Sequence, residues 1–153
     1  MNPKSTMQSA DQMLALLNDL VSYRSITLSE EEKHFPLRVQ QHLLKIPYFS
    51  ENQSLIENHI TTDGRIFLTA LYKHPKAVKT VILLSHFDVV DVEDYGEWKH
   101  LAFRPLELTE ALHSHKEALS PSARKDLESG EWLFGRGTMD MKCGLVQHIS
   151  LLE

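Results

Sequence analysis

The chain has 153 residues, 42% hydrophobic and 24% charged, a composition suited to one soluble globular domain rather than a disordered or repeat protein. A formal net charge of −5 argues against a nucleic-acid partner, which would call for a basic face. The single cysteine excludes an internal disulfide, and no run approaches the ~20 apolar residues needed to span a bilayer. The polar start, residues 1–8, and leucines broken by Asn18 and Asp19 give no signal-peptide core, so a cytoplasmic protein without a membrane partner is expected.

Met13, Leu14, Leu16, Leu17, Leu20 and Val21 recur at helical spacing and predict a helix over 9–23. Ser29 followed by Glu32 has capping-box spacing and opens a second helix toward Ile46, with Pro36 near its first turns. Two β-prone runs, 56–61 and 65–72, flank Thr62-Asp63-Gly64, a hairpin signal. Thr80-Val81-Ile82-Leu83-Leu84 is apolar without alternation, as in a central strand covered on both faces. Residues 91–130 are polar and mixed, with short helices expected over 109–118 and 122–129. Trp132-Leu133-Phe134 reads as a short strand, and Leu145, Val146, Ile149 and Leu152 as a last helix. Helix, hairpin, buried strand, crossover, strand and helix make an α/β order. In open α/β sheets the ligand crevice lies beyond the carboxyl ends of strands, where His86 and Gly135 both fall.

His86 and Asp88, two residues apart, project to one face if the backbone stays extended. A histidine that ligates a metal needs its second ring nitrogen held by an acceptor, which Asp88 is placed to supply. From two positions alone, a structural strand-end pair is the better reading. Gly135-x-Gly137 allows a tight turn that presents Asp140, either as a carboxylate bridging two cations or as the N-cap of the last helix. A dinucleotide fingerprint is disfavoured, because its third glycine is missing and an aspartate would repel the pyrophosphate. Arg136 and Lys142 are expected to make ion pairs around this loop. Cys143, Trp98 and Trp132 read as packing residues, and His113 and His115 as a solvated face.

Ser85-His86-Phe87-Asp88-Val89-Val90 and Gly135-Arg136-Gly137-Thr138-Met139-Asp140-Met141-Lys142-Cys143-Gly144 closely resemble the two N-terminal motifs of the zinc aminoacylase/carboxypeptidase family. Acetylornithine deacetylase, succinyl-diaminopimelate desuccinylase and carboxypeptidase G belong to that family. The wording of the second motif, with Val90-Asp91-Val92-Glu93-Asp94-Tyr95-Gly96, is most similar to the arginine-utilisation, RocB-like branch. The resemblance implies a zinc-exopeptidase-like α/β fold, a mixed sheet flanked by helices. It implies that His86 is a terminal ligand of one zinc, that Asp88 is the catalytic-site residue orienting it, and that Asp140 bridges two metals. It further implies a cis peptide after Asp140. The complete family site holds two Zn2+, with Co2+ or Mn2+ as substitutes, and acts on a small-molecule amide or peptide substrate.

In the family, the general-base glutamate, further ligands and a dimerisation domain all follow the second motif. The resemblance therefore implies that residues 1–153 are the N-terminal part of a catalytic domain, with the rest absent and the fold incomplete. Two recognised ligands fall short of the three protein ligands that a catalytic zinc ordinarily takes. The expected function is that part of a zinc-dependent amidohydrolase or peptidase, with arginine catabolism as its setting and this chain alone inactive. A second chain supplying the missing ligands is one alternative. A stand-alone, non-catalytic binding module derived from the fold is the other.

Overall fold

Ser9 opens the first helix, α1 (Ala10–Ser22), with a complete capping box: its hydroxyl accepts from the Gln12 N–H, and its own N–H donates to the Gln12 side chain at 2.8 Å. The structure, a computed structural model, describes residues 9–153. The polar stretch 1–8, read above as lacking a signal-peptide core, lies outside the described residues. The stripe expected on α1 buries Leu16, Leu20 and Val21, while Leu14 stays at the surface.

Helix α2 (Glu30–Leu43) starts at Ser29, whose hydroxyl accepts from the Glu32 N–H at 3.1 Å. The return half of the box goes elsewhere. The buried Glu32 carboxylate takes the N–H of Leu28, a residue held at φ 66°, instead of that of Ser29. Pro36 sits inside α2 and is buried without interrupting it. A short helix, α3 (Pro47–Glu51), follows.

The hairpin forms where Asp63-Gly64 placed it. Strands β1 (Ile56–Ile60) and β2 (Ile66–Ala70) pair antiparallel from Ile56 opposite Ala70 to Ile60 opposite Ile66. Gly64 takes φ 83° in the turn, and its N–H donates to the Thr61 carbonyl at 3.0 Å.

The segment 80–84 departs from the sequence expectation. It carries no strand pairing, and Val81, Ile82 and Leu84 are more than four-fifths exposed. An apolar run becomes a strand only when a second backbone lies beside it and supplies hydrogen bonds. Among the described residues the nearest strand-like contact is a single parallel bridge, Ile26 with Val89. Trp132-Leu133-Phe134 is likewise unpaired, and Trp132 is half exposed rather than packed. The hairpin is thus the one sheet among the described residues, and helices dominate.

Two linked 3-10 turns (Glu93–Leu101) bend at Gly96, φ 55°, and lead into α4 (Pro105–Ser114) and α5 (Pro121–Ser129). Helix α4 begins earlier than the sequence suggested, because Pro105 occupies its first turn, where proline's missing N–H is harmless. A π-type turn (Thr138–Cys143) then feeds the last helix, α6 (Gly144–Leu151). The larger core joins Leu16 and Leu20 of α1, Phe35 and Leu43 of α2, Phe49 of α3 and Ile149 of α6. A smaller cluster of Val89, Val92, Ala102 and Phe103 lies under the 3-10 turns. No described helix is long and apolar enough to cross a membrane.

Candidate metal centre

The first motif is held against the end of α1 by a short ladder. The Val89 N–H donates to the Ser25 carbonyl, and the Thr27 N–H to the Val89 carbonyl, both at 2.9 Å. The Ser25 hydroxyl donates to the Phe87 carbonyl at 2.6 Å. One residue before His86, the Ser85 hydroxyl meets Nδ1 of His148 on α6 at 2.6 Å. Phe87 stacks on Phe35, with ring centroids 4.9 Å apart and planes at 15°. His86 therefore projects from a backbone anchored on both sides.

The second motif is anchored just as closely. The Arg136 N–H donates to the Ala102 carbonyl at 2.7 Å, and the Arg136 guanidinium pairs with Asp94 and lies over the Tyr95 ring at 4.9 Å. This is the ion pair expected of Arg136. Gly137 takes φ 78°, and a Cβ built there would fall 2.5 Å from Val89 Cγ1, so the two motifs touch at this glycine. Gly130 also has a positive φ, 70°, but faces open space. Gly137→Ala is therefore expected to lose more stability in thermal unfolding than Gly130→Ala. The latter should cost about 1–2 kcal/mol for backbone conformation alone, and the former about 1–3 kcal/mol more for the clash. Equal losses would show that the contact with Val89 relaxes freely.

The structure brings all three candidate residues together. Nε2 of His86 lies 2.9 Å from Oδ1 of Asp140. Nδ1 lies 3.1 Å from the Asp88 main-chain oxygen and 3.4 Å from the Asp88 carboxylate. That carboxylate accepts from the Thr27 hydroxyl at 3.0 Å. Thr27 had no signal in the sequence, because its partner lies 61 residues away. The Asp140–Met141 peptide is cis, as the resemblance implied. Asp140 is not the N-cap of the last helix: α6 starts from Cys143, and the Asp140 side chain is 88% exposed. These residues line a cleft of ≈ 320 Å³ with Arg136 and Thr138 at its sides.

Burial works to lower the His86 pKa, but the bonds to Asp140 and to the Asp88 carbonyl, with the negative charge of both carboxylates, outweigh it and raise the net value. Both ring nitrogens face oxygen acceptors. A neutral imidazole has one N–H only, so the arrangement calls for a second proton or for a cation on the Nε2 side. The donor set suits zinc. Zinc bonds to histidine nitrogen and carboxylate oxygen run about 2.0–2.2 Å, and a tetrahedral ion holds two such atoms about 3.4 Å apart, so His86 and Asp140, in direct hydrogen-bond contact at 2.9 Å, would move apart by about half an ångström to share one. Among the described residues, no group of three or more His, Cys, Asp or Glu, His86, Asp88 and Asp140 included, is arranged to hold a metal ion by itself. His115 lies edge-on to Trp98, at 5.0 Å between ring centroids, and bonds the Ala111 carbonyl.

Lys142 corrects the sequence reading. Among the described residues it makes no ion pair around the loop, and it is fully buried. Its ammonium donates to the carbonyls of Leu20 at 3.0 Å and Tyr23 at 2.8 Å, at the C-terminal end of α1, and lies 4.8 Å from the centre of the Phe35 ring. Burial pushes its pKa down to about 7.

The chain is 51% identical to an uncharacterized protein, YqjN, of Bacillus subtilis over 146 residues, which is 95% of this chain and 27% of YqjN. It is 34% identical to Protein RocB of the same organism over 152 residues, 97% of this chain and 26% of RocB. No family model matches the chain, and no solved structure does. The chain thus spans about a quarter of the length of the curated relatives it matches, and over that quarter its sequence is RocB-like.

Proposed function

We propose that these residues form part of a zinc-dependent amidohydrolase or peptidase acting on small acylated amino acids or peptides, in the setting of arginine utilisation. The observation that carries the reading is the imidazole of His86, with an oxygen acceptor on each nitrogen, the one at Nε2 being the exposed Asp140 carboxylate. The similarity to RocB supports the setting. The zinc-exopeptidase fold belongs to the same proposal, with 80–84 and 132–134 as the strands of a larger sheet. The remaining ligands and the general base come from sequence beyond this chain, continuous with it or on a second polypeptide.

Bound zinc would supply an activated water and a polarised carbonyl. This chain's own part is to hold the ligands. His86 offers Nε2, because the Asp88 main-chain oxygen occupies Nδ1. Thr27 holds the Asp88 carboxylate against that ring. Asp140, exposed and hydrogen-bonded to His86, offers a carboxylate free to reach a second cation. Arg136, tied to Asp94, lines the cleft beside them.

Calorimetric titration with zinc tests the reading. Zinc should bind the wild-type chain, and His86→Ala and Asp140→Ala should each weaken it by about 10–100-fold or more, since ligands matter at least as much as the groups behind them. Binding unaffected by either change would sink the metal-centre reading and leave the non-catalytic binding module in its place.

A further inference from the structure

Asp140 has little of its own to hold it in place. Its side chain is 88% exposed, and among the described residues the one hydrogen bond its carboxylate makes is to His86. Its position must therefore come from the backbone on either side. On one side, Gly137 lies against Val89 at a separation no side chain would tolerate. On the other side is Lys142, whose N–H closes the turn onto the Gly137 carbonyl at 3.0 Å. The side chain of Lys142 runs inward to the end of α1, where Nζ takes two main-chain carbonyls.

Those carbonyls belong to the last turn of α1 and the residue capping it. They carry the negative end of the helix dipole, a fitting partner for a buried ammonium that, among the described residues, pairs with no carboxylate. The same ammonium rests against the face of Phe35, and Phe35 stacks on Phe87, the residue next to His86. One ring is thus shared by the anchor of the second motif and the neighbour of the metal-binding histidine.

We infer that Lys142 is a positioning residue for the metal centre: by fastening the turn to α1 and to the Phe35–Phe87 stack, it sets Asp140 opposite His86. The inference rests on the metal-centre reading given above, and the experiment separates the two.

The test compares Lys142→Met, which keeps length and apolar bulk but removes the donors, with Phe49→Leu, a core change on α3 outside both motifs. Zinc affinity is measured by calorimetry on folded protein. In parallel, the 15N chemical shifts of the His86 ring are recorded without metal. Lys142→Met should weaken zinc by about 10–100-fold, the range for groups that orient metal ligands, and should move the His86 Nε2 resonance toward that of Asp140→Asn. Phe49→Leu should change neither. Wild-type affinity and an unmoved ring in folded Lys142→Met would overturn the inference, as would equal effects from Phe49→Leu. If the wild type binds no zinc, the metal-centre reading fails, and the ring resonance alone decides whether Lys142 places Asp140. If Lys142→Met does not fold, Phe35→Leu, which removes the shared ring, takes its place with the same two readouts and the same deciding outcomes.

Discussion

Phe35→Ala is expected to lower stability by about 3–5 kcal/mol, the usual cost of deleting a buried aromatic ring. Phe35 has no exposed surface, stacks on Phe87, meets Tyr23 edge-on at 5.6 Å and carries the Lys142 ammonium on its face. Against a typical domain stability of about 5–15 kcal/mol, this is a large share. In a chain of this size it corresponds to a fall in Tm on the order of 10 °C. Thermal unfolding followed by circular dichroism measures it. A loss below about 1 kcal/mol would mean that the core around α1, α2 and Phe87 collapses into the gap, and that the ring does not join the first motif to the rest.

Alkaline pH is expected to stabilise the protein through Lys142. Burial sets the folded pKa at about 7, below the ordinary lysine value of 10.5. Between those two values the unfolded chain binds more protons than the folded one, so stability rises with pH across that window. Below about pH 7 the lysine is charged in both states, and its contribution is flat and unfavourable. At about 1.4 kcal/mol per unit of pKa, the full rise amounts to a few kcal/mol. Urea unfolding at pH 6.5, 7.5, 8.5 and 9.5 should show it, and Lys142→Met should flatten it. A wild-type curve level from pH 7 to 9.5 would mean that water or movement of the α1 end keeps this ammonium solvated.

The parts of the fold legible in the sequence are those set by near neighbours. Ser29 with Glu32 marks the start of α2, the leucine spacing marks α1, and Asp63-Gly64 marks the hairpin, each within a few residues of its cause. His86, Asp88 and Asp140 were singled out through the family resemblance of their two local motifs, whereas spacing alone favoured a structural pair and a helix cap. What was not legible depends on distant chain. A lysine reads as a surface residue, and nothing near Lys142 reveals that its partners are carbonyls 119 and 122 residues earlier. The apolar run 80–84 has the pattern of a buried strand, but a pattern does not bring the backbone it must pair with, and here those side chains face solvent. Asp140 suited a helix cap by position, until the turn before α6 directed it at His86 instead.

The ladder joining Ser25 and Thr27 to Phe87 and Val89 also bears on how freely the intervening chain can vary. Within the stretch of some 60 residues between its two sides, the hairpin and the polar loop after it form a closed excursion whose length does not set where His86 points. Closure entropy grows only with the logarithm of loop length, about 0.6 kcal/mol per doubling. Residues added at the tip of the hairpin or around Pro75 would thus leave the histidine in register. A shift of one residue at Ser25 or Val89 would turn every side chain of the motif to the opposite face.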